Sequence, residues 1–200
     1  MIEKNINETL VKGEPSAKAL INSLFLIDKE LDFDQASVYH QFPIYPNSDN
    51  DTTISANVIF ITKKYGLFIF QCIDADSDFD IKVYSQALSE IDRLIFSKVL
   101  KESPKLQKNR RSLKFDIIPV IYFHKEVKIE SSELDFEVVF TEKQLSNIII
   151  QSEGEELSDE EFKDLKATIE GSKGIVRSNS RDIKDTKDFE NSKGAILRTN

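Results

Sequence analysis

Three groups of side chains in this sequence have the type and spacing to do chemistry. The first is the acidic run Asp74-Ala-Asp-Ser-Asp-Phe-Asp80, whose alternating carboxylates resemble a calcium loop. Phe79 stands where such a loop needs glycine and Ser85 where it needs its closing glutamate, so the run reads as a solvated turn. The second group is the single cysteine, Cys72, with the two histidines, His40 and His124. They lie on separate segments without metal-ligand spacing, and no motif supports a Cys–His nucleophile. Within its apolar surroundings Cys72 reads as a small buried hydrophobe. The third group is basic: Lys98, Lys101, Lys105, Lys108, Arg110, Arg111 and Lys114 face one acid, Glu102, over the same span. Such a patch can hold phosphates even on an acidic chain, here with net charge −8. Its plainer reading is a solvated helix end and loop.

The elements that position these residues are legible from periodicity. Gly13-Glu-Pro-Ser opens a helix, with Pro15 suited to its first turn and Ala17, Leu20, Ile21 and Leu24 on one face. A strand is expected over Val38 to Ile44, stopping at Pro46. Residues 47–52 are a loop by composition. Asn57 to Thr62 and Leu67 to Ile73 are near-continuous apolar runs, as in strands covered on both faces. A helix carries Leu88, Ile91, Leu94, Ile95 and Val99 and ends at Pro104. Phe115 to Phe123 is a further strand, in which Pro119 implies a sheet edge or bulge. Phe136 to Phe140 is a short one. Thr141-x-x-Gln144 and Ser158-x-x-Glu161 are capping boxes, with Phe140–Leu145 and Leu157–Phe162 placed as hydrophobic staples.

A chain of 200 residues with 40% hydrophobic content suffices for one domain with a tail. The boundaries expected are 1–171 for the domain and 172–200 for a polar tail or linker. No apolar run is long enough to span a membrane. The first residues lack the basic and apolar regions of a signal peptide. With one cysteine no intrachain disulfide forms, and a cytoplasmic location is expected.

Gly13-Glu14, Asn57-Val-Ile-Phe-Ile and Gly66-Leu-Phe-Ile-Phe-Gln71-Cys-Ile73 together resemble the nuclease-related domain family of the restriction-endonuclease-like superfamily. The strand from Phe115 to Phe123 and the segment Leu157-Ser-Asp-Glu-Glu-Phe162 with Gly171 are similar to it too, so the likeness covers roughly residues 10–172. It implies an α/β core, with a central mixed sheet of about five strands flanked by helices. It also implies an acid near the first helix, an Asp opening the second strand and a Glu-x-Lys on the third. In such a site two carboxylates hold a divalent metal that activates water, and the lysine assists. Glu14 matches the first acid, but Asn57, Gln71 and Ile73 occupy the other three positions. The amides offer neutral oxygens to a hard cation such as Mg²⁺, and Ile73 offers nothing. On residue type alone Asn57 and Gln71 also read as hydrogen-bonded polar core residues, and Ile73 as plain core.

Asp74 and Asp76 are the candidates for compensating acids, yet strand alternation turns both away from Gln71. Asn191-Ser-Lys-Gly-Ala-Ile-Leu197 resembles the linker joining such domains to a superfamily I-type DNA helicase, but the chain carries no phosphate-loop motif. The expectation is a catalytically inactive module that binds or positions DNA for a helicase or a defence-type system. No metal ligand is assigned, and Mg²⁺ enters only under a rearranged nuclease. A protein-interaction module is the remaining alternative.

Overall fold

A computed structural model describes residues 1–46, 53–74, 79–129 and 136–171. Two apolar cores, one on each face of a sheet, organise them. The sheet has six strands in the order β1-β2-β5-β6-β9-β10. Their ranges are β1 Ile2–Asn5, β2 Ala36–His40, β5 Val58–Thr62, β6 Gly66–Ile73, β9 Ile117–Phe123 and β10 Glu137–Val139. The hairpin β5–β6 and its neighbour β2 run antiparallel, whereas β1–β2, β6–β9 and β9–β10 are parallel. The mixed sheet follows from the connections. A tight turn at Gly66 closes β5–β6, while the parallel step from β6 to β9 needs the long crossover through helix α3, Ile81–Glu102.

Alternation along the central strands assigns the faces. Val58, Phe60, Phe68 and Phe70 point to the core under α2 (Pro15–Leu31) and α4 (Glu142–Gln151). Ile59, Ile61, Leu67, Ile69 and Ile73 point to the core under α3 and α5 (Asp159–Ile169). These runs have no polar face because both faces are covered. A short helix α1, Glu8–Val11, precedes α2. Two small hairpins, β3–β4 (Ile44–Pro46, Thr53–Ser55) and β7–β8 (Gln107–Asn109, Ser112–Leu113), stand apart from the main sheet.

Several expectations are met and several are corrected. The α/β class and the mixed central sheet with helices on both faces are observed, with six strands rather than about five; β1 is the addition. Both capping boxes form. Leu157 and Phe162 share one core, but Phe140 stacks on Phe123 in the α3–α5 core while Leu145 enters the other, so that staple does not close. The strand expected over Val38 to Ile44 ends at His40, where Gln41 takes φ +52 and Phe42-Pro43 follows. Pro119 lies in a strand with neighbours on both sides, not in an edge strand. It is tolerated because β10 pairs only from Val120 onward, which leaves Pro119 locally at an edge.

Residues 47–52, residues 75–78 with Asp76, and the whole 172–200 tail with its linker-like Asn191–Leu197 lie outside the described residues. Among the described residues no helix is long and apolar enough to cross a membrane.

Candidate functional site

At the carboxyl end of β6 the sheet opens into a pocket of about 170 Å³, lined by Glu14, Asn57, Gln71, Asp74 and Tyr84 with Ala17 and Cys72. Three of the four positions singled out by the family resemblance therefore converge. Each arrives by a different route. Glu14 immediately precedes α2, where Pro15 fixes the first helical turn. Asn57 is the last residue before β5, and Gln71 is near the end of β6. The antiparallel register pairs Val58 with Phe70, so the next step outward brings Asn57 and Gln71 side by side. Ile73 does not join them; it is 1% exposed and packs in the α3–α5 core.

The Glu14 carboxylate is held by the chain itself. His40 Nε2 donates to its Oε2 at 3.2 Å, Asn57 Nδ2 donates to the same oxygen at 3.3 Å, and Gln41 Nε2 donates to Oε1. His40 and Gln41 were not singled out for this role. The left-handed turn at Gln41 that ends β2 carries its side chain into reach of Glu14, a pairing with no short-range signature in sequence. Asn57 uses both ends of its amide. Its Oδ1 accepts from the Cys72 N–H at 2.9 Å, continuing the β5–β6 ladder where backbone pairing stops. An aspartate there could serve Cys72 but not Glu14, because it has no proton to give.

Asp74 corrects the alternation argument in part. It does turn toward α2, where its Oδ1 accepts the Ser16 N–H at 2.8 Å and so serves the helix amino terminus that Glu14 leaves uncapped. It nevertheless lines the same pocket as Gln71, because the pocket straddles the strand end rather than one sheet face. Ser16 Oγ lies 2.7 Å from the Ile73 carbonyl and 2.6 Å from His124 Nδ1. With Oγ donating to the carbonyl, the imidazole N–H donates to Oγ. Ser16 is 1% exposed and serves as a buried tie, not as a nucleophile.

The remaining groups define what the pocket accepts. Gln71 Oε1 is buried without a hydrogen-bond partner, a condition that costs about 1–3 kcal/mol unless a donor is supplied. Burial pushes the Cys72 thiol well above its ordinary range, and Glu14 and Asp74 push the same way, so the thiolate is suppressed. Among the described residues no set of three or more His, Cys, Asp or Glu side chains is arranged to hold a metal ion. The donor set does not fit Mg²⁺ either: both Glu14 oxygens and Asn57 Oδ1 already accept N–H groups, and only Gln71 Oε1 is uncommitted among the matched positions.

The basic segment lies at the other end of α3. Tyr84 lines the pocket from the first turns of that helix, and Lys101 sits in its last turn. At 1.5 Å per residue the two are about 25 Å apart. Beyond Lys101 the chain forms the β7–β8 hairpin, whose tip exposes Lys108, Arg110 and Arg111. Lys105 and Lys114 pair with Glu160 and Glu161 of α5 at 3.2 and 2.5 Å. Lys98 is half-buried along α3. Thus two of the seven cations fasten the hairpin to α5, while Lys101, Lys108, Arg110 and Arg111 face solvent.

Comparison with family models, with curated proteins and with solved structures finds no match to this chain.

Proposed function

We propose that this chain is a nuclease-related module of the restriction-endonuclease-like kind that has given up metal-dependent cleavage and binds or positions DNA for a helicase or defence-type system. The observation that carries the reading is the Glu14–Asn57 hydrogen bond. An acid and two amides, matched to a metal site by the sequence resemblance, do meet in one pocket. Yet the acid is satisfied by N–H donors where a nuclease would leave it to a cation. The element order supports the same reading: a helix, three antiparallel strands, a crossover helix and a parallel strand, with the pocket at the strand ends.

In this reading DNA contacts the exposed cations at the end of α3 and the β7–β8 tip, remote from the pocket. Charge reversal of Lys101, Lys108, Arg110 and Arg111 together is expected to abolish binding to duplex, fork or single strand. In single reversals the slope of affinity against salt falls by about one per cation lost. Binding by the parent protein that is absent or insensitive to salt would sink DNA binding and leave the protein-interaction alternative.

Asp74 beside Glu14 and Gln71 favours a second reading, a nuclease with a rearranged site. Incubation with Mg²⁺ or Mn²⁺ and several DNA and RNA forms tests it. Cleavage that disappears in Glu14→Ala would establish it in place of the first.

A further inference from the structure

Further along α2 a second pocket, of about 240 Å³, lies between β1, α1 and α2. Its floor is apolar, built from Ile6, Val11, Ile21 and Phe25. Lys4, Lys12 and Lys18 line it, all exposed, and Lys4 Nζ stands 4.3 Å above the centre of the Phe25 ring. Among the described residues no acid pairs with any of the three. Other lysines of this acidic chain, Lys63, Lys64, Lys105, Lys114 and Lys166, each have a carboxylate partner. Three lysines round one concavity repel each other, and one acid among the lining residues, Glu8, offsets only part of their charge. The local excess of two positive charges matches a phosphate monoester near neutral pH. Asn22 on the rim adds an amide that both donates and accepts, able to read the polar edge of a flat ring lying on the floor.

We propose that this pocket binds a nucleoside monophosphate group, with Lys4 swinging off the Phe25 ring to join Lys12 and Lys18 round the phosphate and the base taking its place on the Phe25–Ile21 floor. The group is either a free nucleotide or the phosphorylated terminus of a nucleic-acid strand. The site does not depend on the DNA-binding reading, since it is distinct from the β7–β8 surface.

Titration of the full chain with adenosine monophosphate, adenosine and inorganic phosphate, followed by calorimetry or NMR, tests the site. Oligonucleotides with and without a terminal phosphate are titrated beside them. The monophosphate is expected to bind more tightly than either of its parts. K12A and K18A should each weaken it by about tenfold, the loss that one charged hydrogen bond carries, and K143A, at an exposed position of α4 outside both surfaces, should leave it unchanged. Binding of the free nucleotide alone identifies a nucleotide site. A preference for the phosphorylated oligonucleotide, lost in K12A and K18A, identifies a strand-end site. The proposal is overturned if neither ligand binds, if adenosine or phosphate binds as well as the monophosphate, or if K12A and K18A change nothing, which would leave the lysines as stems covering apolar surface. The R110E/R111E variant reports separately on DNA binding through the hairpin, so the two readings fail independently.

Discussion

Replacing Asn57 by aspartate restores the acid that the family resemblance expects, and the structure says that this repair harms the protein. The Asn57 Nδ2 atom lies 3.3 Å from Glu14 Oε2 and donates to it. Aspartate removes that donor and sets a second anion in its place, while its other oxygen still accepts from Cys72 N–H. Two unit charges at this separation repel by about 5 kcal/mol at an effective dielectric of 20. Water screens part of this, because the Glu14 side chain is 25% exposed. His40 and Gln41 continue to donate to Glu14. A net loss of about 2–3 kcal/mol remains, which for a domain of this size lowers Tm by about 5–10 °C. The neighbouring carboxylate pushes the introduced carboxyl's pKa up. The penalty is therefore absent below the ordinary carboxylate pKa of about 4 and grows as pH rises above it. Thermal unfolding of parent and Asn57→Asp across pH reads the effect directly. Adding Glu14→Gln to the variant should recover most of the stability, since the charge repulsion is then gone. If Asn57→Asp is as stable as the parent at neutral pH without divalent ions, or if its penalty persists at low pH, the Glu14–Asn57 coupling argued here is wrong.

Other perturbations probe the frame round the sites. Gly66 sits at φ +88, and a Cβ there would meet the Asp116 carbonyl oxygen at 2.7 Å, so Gly66→Ala should cost about 3 kcal/mol or more by chemical denaturation. Tyr39 donates to Glu170 Oε1 at 2.8 Å with its ring 1% exposed. Tyr39→Phe should lose about 1 kcal/mol with the fold intact, and an unchanged midpoint would mean that this bond contributes nothing. Hydrogen bonding to Lys114, then to the Ser158 backbone, holds the Glu161 carboxyl down at about 2, against an ordinary 4.5. Its contribution is present above the ordinary value and is lost as pH falls from 4.5 towards 2. Glu161→Gln should therefore flatten the acid limb of the stability profile in that window, and an acid limb identical to the parent's would refute the assignment.

Much of the frame was legible because its causes are local. The Thr141 and Ser158 boxes satisfy N–H groups three residues away, so a short motif marks each helix start. The apolar runs of β5 and β6 declare coverage on both faces without saying by what. The convergence of Glu14, Asn57 and Gln71 was legible only through resemblance, since 43 residues separate the bonded pair Glu14 and Asn57. The break at Gln41 has one sequence signal, Pro43, which cannot donate to a strand ladder, but Tyr39, Phe42 and Ile44 around it are β-prone and nothing marks the left-handed turn itself.

By itself the sequence determined the α/β class, the helix starts and the apolar strands, which follow from periodicity and short-range hydrogen bonding, while the candidate-site positions came from resemblance alone. Only the tertiary structure decided that Glu14 is saturated by His40, Gln41 and Asn57, that Asp74 shares the pocket, and that the basic segment begins at the far end of α3 from it. The physical reason is that hydrogen-bond satisfaction at a site depends on which strand ends meet and how long the crossover helix runs. Those distances emerge when two cores close on the two faces of one sheet.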